Sequence, residues 1–288
     1  TLGGGPAATT LEVAIYQALR FDFDPTAAVT LTLLQLGLTI SIVAGLMLLG
    51  GRFADSADIS VVTRRYRAPG KGEALLNLAV VAAAAVFILA PLIAVVIAGL
   101  KADLARLLSE AAVLRAAVTS LILAFAAALL ATGLSYSLVL TRNRLARVRR
   151  GQSGGTLLEH GCDQGAGLIL VVPPIILGAG WFVLARHFGD VFAIAPAMVI
   201  AVNAAMAMPF VVRTIRPGYD AAAERHDRLA ASLGMMGFTR LKLIEWPVLR
   251  QPLMTGFAFA MALSLGDLGV IALFGSDAVQ TLPYLLLA

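Results

Sequence analysis

Asp267 is the one charged residue between Leu253 and Phe274, in a run otherwise apolar enough to enter a membrane. An ionisable group at that depth is a functional candidate by default, because burying it is costly. Asn203 and Ser264 place hydrogen-bonding groups in apolar runs as well, and with Asp267 they form the candidate lining of a solute pathway. Each has a second reading. Asp267 is also placed to bond a neighbouring helix end, and Asn203 and Ser264 to bond across packed helices, and these structural readings are the favoured ones.

A second constellation is polar and exposed in character. Asp220 to Pro252 reads DAAAERHDRLAASLGMMGFTRLKLIEWPVLRQP, the longest polar stretch between two apolar runs. Asp220 is an expected N-cap for a helix over 220–233, and Gly234 supplies the left-handed residue that ends it. A second helix is expected from Phe238 to Glu245, with Leu241, Ile244 and Val248 on one side. Pro247 disfavours helical geometry at Trp246 and suits the first turn of the next membrane helix.

Little else points to covalent chemistry. Cys162 is the lone cysteine, and His160, His187 and His226 stand in separate loops, so neither a disulfide nor a metal cluster is expected. Pro69-Gly70-Lys71-Gly72 does not fit a nucleotide-binding loop, and no HExxH pattern occurs. No catalytic residue, metal ligand or bound cofactor is expected of this chain.

The elements that must position these residues follow from composition. Of 288 residues 59% are apolar and 14% charged, and mean hydropathy is +0.88. Soluble domains carry about 25% charged residues, so an all-α integral membrane protein is expected. Six apolar runs stand out, over 27–49, 75–100, 116–140, 166–185, 191–212 and 253–274. Each is near the length that crosses a bilayer as a helix. Pro173, Pro174 and Pro209 either break their helices toward a cavity or only kink them, and Trp181 and Trp246 read as interfacial anchors.

Charge placement sets the orientation. Segments 50–74, 141–165 and 213–252 hold 5, 5 and 7 of the 22 Lys and Arg residues, whereas 1–26, 101–115, 186–190 and 275–288 hold 1, 3, 1 and 0. The excess of positive charge puts the first group, and with it the 220–252 loop, in the cytoplasm. The same sorting explains the net charge of +5 without nucleic acid, for which no binding pattern is present.

An internal repeat is visible. Gly4 to Leu11, GGPAATTL, and Gly275 to Leu282, GSDAVQTL, share Gly, Ala, Thr and Leu in register. Two similar halves in one orientation are expected. Residues 1–74 would then be the tail of a first half, with an outer loop, one helix and a linker. Residues 75–288 would be the second half, carrying its loop at 220–252 and lacking its last helix.

The 220–252 stretch resembles the EAA loop of permeases from binding-protein-dependent ABC importers. That pattern runs Glu-Ala-Ala, three residues, Gly, nine residues, then Ile-x-Leu-Pro. Arg228-Leu229-Ala230, Gly234 and Ile244-Glu245-Trp246-Pro247 match its spacing, with Arg228, Leu229 and Trp246 departing from its residue types. SLGMMGFTRLKLIEW, FAFAMALSLGDLGVIALFGS, NAAMAMPFVV and the opening LGGGPAATTLEVAIYQAL are similar to permeases of the thiamine importers. The resemblance implies a type I importer permease bundle, with about six spanning helices in this fragment, in a bacterial inner membrane. It implies an ABC ATPase dimer carrying ATP and Mg at the cytoplasmic face, and an extracytoplasmic substrate-binding protein. It implies coupling through Ala230, Gly234, Leu241, Ile244, Glu245 and Pro247, with thiamine or its phosphates as solute. A ferric-iron permease of the same architecture is the nearest alternative. A secondary transporter would need more intramembrane acids or histidines than Asp267.

Overall fold

A computed structural model describes residues 10–22, 24–48, 70–101, 104–148, 161, 167, 169, 172–185, 187, 193–235, 237–274 and 279–287. Gly4 to Thr9 and Gly275 to Ala278 of the repeat, Arg64, Arg65, Arg67, His160 and Cys162 lie outside these residues. The described chain is helical. In order it forms α1 (Leu11–Arg20), α2 (Pro25–Leu48), α3 (Lys71–Lys101), α4 (Leu104–Ser109), α5 (Ala111–Val148), α6 (Pro174–Ala185) and α7 (Ala195–Ser232). Then come α8 (Gly237–Arg240), a π-helical turn (Leu241–Glu245), α9 (Trp246–Leu265), α10 (Gly269–Phe274) and α11 (Leu282–Leu287).

Four helical stretches among the described residues are long and apolar enough to cross a membrane: Lys71–Lys101, Ala111–Leu145, Ala195–Ala223 and Leu241–Leu265. The runs expected at 27–49 and 166–185 give shorter apolar helices, Thr26–Ile42 within α2 and Pro174–Ala185. Pro174 opens α6, where its missing N–H costs nothing. The run expected over 253–274 is shifted: its helix begins upstream and stops at Leu265.

Two compact units divide the chain. One comprises Leu46–Leu114 and contains α3 and α4. None of the residues of α3 is buried, as suits a helix apolar all round and facing hydrocarbon. The other unit joins Arg115–Ala288 with the described residues up to Gly45. Here α7 and α9 run antiparallel as the central pair, because Gly218 meets Leu249 and Pro252, and further along Gly256 meets Val211. A Cβ on Gly256 would stand 3.0 Å from the Val211 side chain, so a glycine permits this approach.

Two apolar clusters fill this unit. Ala128, Ala131 and Val139 of α5 pack with Ala204, Ala207, Val211 and Ile215 of α7 and with Leu249 and Ala260 of α9. Ile15 of α1, Ile175 and Ala179 of α6, and Val270 and Phe274 of α10 form the second, with Val199 and Val202 of α7. Alanine dominates the first cluster, and van der Waals packing of this kind is the main attraction between helices in lipid. Leu121, Ile122, Phe125 and Leu129 of α5 are exposed on the outside.

The repeat has a structural counterpart at its last residues. Val13 N–H donates to Thr10 Oγ1 at 3.4 Å at the start of α1, and Tyr284 N–H donates to Thr281 Oγ1 at 3.4 Å at the start of α11. Both threonines cap a helix three residues on.

Candidate functional site

The polar loop is built on the far end of α7. This helix has 38 residues, a rise of about 57 Å, and runs on past its membrane-length stretch to Ser232. Asp220 therefore does not cap a new helix, as expected from sequence, but sits in mid-helix. The helical residues to either side outweigh the capping preference, and Asp220 finds partners across the bundle instead. Arg142 Nη1 of α5 donates to both its oxygens at 3.0 Å, and Asn143 Nδ2 donates to Oδ1 at 3.1 Å. Arg216 Nε lies 3.7 Å away, one turn before. Arg142, which reads as a topology signal in sequence, is thus half of a partly buried ion pair.

Gly234 ends α7 as its sequence position predicts. Its φ is +64°, and Met235 N–H donates to Ala230 carbonyl oxygen at 2.9 Å, which closes the left-handed helix end. Gly237, with φ +57°, turns the chain again into α8.

Beyond Arg240 the structure departs from expectation. Trp246 is helical, with φ −59° and ψ −47°, and the chain continues from Gly237 through Pro247 into α9 without a break. The strain of Pro247 is taken up upstream. Its ring would crowd the carbonyl of Leu243 in a regular helix. The chain widens instead to a π-turn, in which Trp246 N–H donates to Leu241 carbonyl oxygen.

That turn carries Glu245 inward. Only 5% of Glu245 is exposed, and three elements donate to its carboxylate. Tyr136 Oη of α5 lies 2.6 Å from Oε2. Arg240 Nε of α8 stands 2.9 Å from Oε1, and Tyr219 Oη of α7 stands 3.3 Å from the same atom. Sequence reasoning missed both tyrosines. For Tyr136 the signal was a polar tip on an aromatic body inside the apolar run 116–140, which usually finds a partner when buried, whereas Tyr219 stands in the polar segment 213–252, where nothing marks it out.

The remaining loop residues divide by exposure. Ala230 is buried with Glu245, whereas Leu241 and Ile244 are partly exposed and Leu243, Trp246 and Pro247 are exposed. Gly234 has open space where a side chain would begin.

At the other end of α9, Asn203, Ser264 and Asp267 do come together. Asn203 Nδ2 donates to Ser264 Oγ at 2.9 Å, which ties α7 to α9. Asp267 lies in the break between α9 and α10, not inside a continuous helix, and its Oδ1 accepts from Gly269 N–H at 3.2 Å. Its Oδ2 is buried without a hydrogen-bond partner among the described residues. The three side chains line a small cleft with Ser120, Thr281 and Ile271. Its enclosed part takes about one water molecule. Ser120 Oγ accepts from Leu282 N–H at 2.8 Å and so fixes the start of α11 beside the cleft.

Residues 166–287 match the family described as binding-protein-dependent transport system inner membrane component. The chain is 55% identical over 287 residues to the thiamine transport system permease protein of Brucella abortus, across 100% of this chain and 51% of that relative. It is 36% identical over 289 residues to the permease protein of the same name from Escherichia coli, and 33% identical over 293 residues to that from Haemophilus influenzae. Each alignment covers 99% of this chain and 52% of the relative. The chain spans about half the length of the curated relatives it matches.

Proposed function

We propose, from the match of residues 166–287 to the binding-protein-dependent transport system inner membrane component family, that this chain is part of the permease of an ATP-driven ABC importer for thiamine or its phosphates. The observation that carries the reading is the loop from Asp220 to Pro252. A long helix projects past its membrane-length stretch, a left-handed Gly234 reverses the chain, and a short helical segment leads directly into the next membrane-length helix. A rigid knob of that shape suits insertion into a cleft on a partner. The exposed and partly exposed Leu241, Leu243, Ile244 and Pro247 offer its surface, while Ala230 and Glu245 support it from inside.

In this reading the loop faces the cytoplasm of a bacterial cell, and an ATPase dimer supplies ATP and Mg. An extracytoplasmic binding protein delivers solute to the opposite face. Closure of the ATPases displaces the loop and rocks the permease between inward and outward openings. Asn203, Ser264 and Asp267 belong to the solute path, and their cleft must widen to pass anything larger than water. A carboxylate oxygen without a partner suits a cationic solute. The division at 74/75 is one of ancestry rather than packing. The matching threonine caps at α1 and α11 support it, while compactness groups the residues up to Gly45 with Arg115–Ala288.

The full-length protein, reconstituted with its ATPase and candidate binding proteins, tests the reading. ATP hydrolysis should rise with thiamine-loaded but not with iron-loaded binding protein. Stimulation by the iron-loaded protein alone would transfer the chain to the ferric-iron class.

A further inference from the structure

Glu245 occupies a position that neither membrane packing nor a docking surface requires. A fully apolar residue would fill the same space between α5, α7 and α9 without the cost of burying a charge. Instead the carboxylate is held by donors from three different elements: Tyr136 of α5, Tyr219 of α7 and Arg240 of α8. The π-turn is what aims it there. One extra residue in that turn rotates the helix that follows relative to α8, leaving Glu245 inside and Trp246 out. Helices of this kind concentrate at working sites.

We propose that Glu245, with Tyr136 and Tyr219, is the linkage that passes movement of the 220–252 loop to α5 and α7. The inference rests on the transporter reading above. Apolar contacts between helices slide, whereas a hydrogen bond from a phenol to a buried carboxylate is directional and is either made or broken. A displacement of the loop must therefore carry Tyr136 and Tyr219 with it or break their bonds outright. These residues touch no solute; they position the moving parts. The Arg142–Asp220 pair, at the same end of α5 and α7, keeps those two helices together while the loop moves.

The test uses the full-length permease assembled with its ATPase and binding protein in proteoliposomes. Variants Y136F and Y136F/Y219F keep the ring packing and remove only the hydroxyls, and E245Q keeps the shape of the side chain. The readout is the ratio of ATP hydrolysis with and without loaded binding protein, measured beside ATPase co-purification. Y136F/Y219F should still co-purify with the ATPase but lose at least five-fold in that ratio, with Y136F and E245Q in between. Amide exchange over residues 241–245 should quicken in the same variants while α6 is unchanged. A double variant stimulated as strongly as wild type overturns the linkage and leaves the transporter reading intact. A wild-type complex that no loaded binding protein stimulates overturns the transporter reading, and the linkage with it.

Discussion

Two carboxylates bracket α9, and the fold treats them in opposite ways. Glu245 immediately precedes the helix and Asp267 follows its last residue by two. At 1.5 Å per residue they are separated by about 33 Å along the axis. Both oxygens of Glu245 are engaged, by side chains from α5, α7 and α8. Among the described residues Asp267 bonds locally, to Gly269 N–H, its Oδ2 is buried without a partner, and the residue lines a small cleft. Burial alone does not reveal what an acid is for. Where its partners come from does: an acid bonded from several elements holds them in one arrangement, whereas an acid bonded to its own turn keeps capacity for something else.

The strongest way to break this contrast is to remove Glu245. Glu245→Ala removes the buried acceptor shared by the partly buried Arg240 and Tyr136 and the buried Tyr219, a loss of about 3–5 kcal/mol. Thermal unfolding of the protein in detergent should show it as the largest shift of any variant considered. A loss below about 1 kcal/mol would mean that water reaches the network, and the linkage would be no more than a surface pair.

The pairing of α7 with α9 is the background against which both acids act. Gly256→Val puts a methyl-bearing carbon 3.0 Å from Val211 and should cost about 1–3 kcal/mol by overpacking. Adding Val211→Ala should return much of that loss, and a double-mutant cycle of denaturation midpoints checks it. No recovery would place the constraint in the backbone rather than at the Val211 side chain.

How much of this was legible in sequence follows from the range of each interaction. Gly234 could be read because a left-handed residue is a local requirement, and the spacing to Pro247 because it is a matter of counting. The π-turn could not. Proline announces strain, but whether the chain breaks or widens depends on what Glu245 gains by turning inward, and its partners Tyr136 and Tyr219 lie 109 and 26 positions away. Asp220 failed for the same reason: its capping preference is local, while Arg142 is 78 residues distant. Asn203, Ser264 and Asp267 were each picked out as polar groups in apolar runs. Their convergence on one cleft required the antiparallel register of α7 and α9. The helix break at Gly266 that sets Asp267 between α9 and α10 is hidden in an unbroken apolar run, because only a cap and a turn separate the two helices.

Gly234 offers a smaller test on the loop side of the contrast. A side chain there meets open space, so any penalty comes from the backbone alone. Gly234→Val should lose about 1–2 kcal/mol, and Gly234→Asn much less, because Asn visits the left-handed region readily. In the assembled transporter the Val variant should insert normally yet uncouple ATP hydrolysis from uptake. Unchanged uptake with normal ATPase assembly would remove the loop from the coupling path, whatever Glu245 does.

Asp267→Asn should have the smallest effect on folding and is therefore the sharpest probe of the difference. Asparagine keeps the oxygen that accepts from Gly269 N–H, and it replaces an oxygen that has no partner among the described residues. Nothing the fold relies on is removed, so the stability change should stay within about 1 kcal/mol, the scale of a single hydrogen bond. Uptake of a cationic solute should fall further than the yield of folded protein, because the lost charge belongs to a residue that lines the cleft and holds no other element in place. A stability loss matching that of Glu245→Ala would make Asp267 a second anchor, and the asymmetry between the two ends of α9 would disappear.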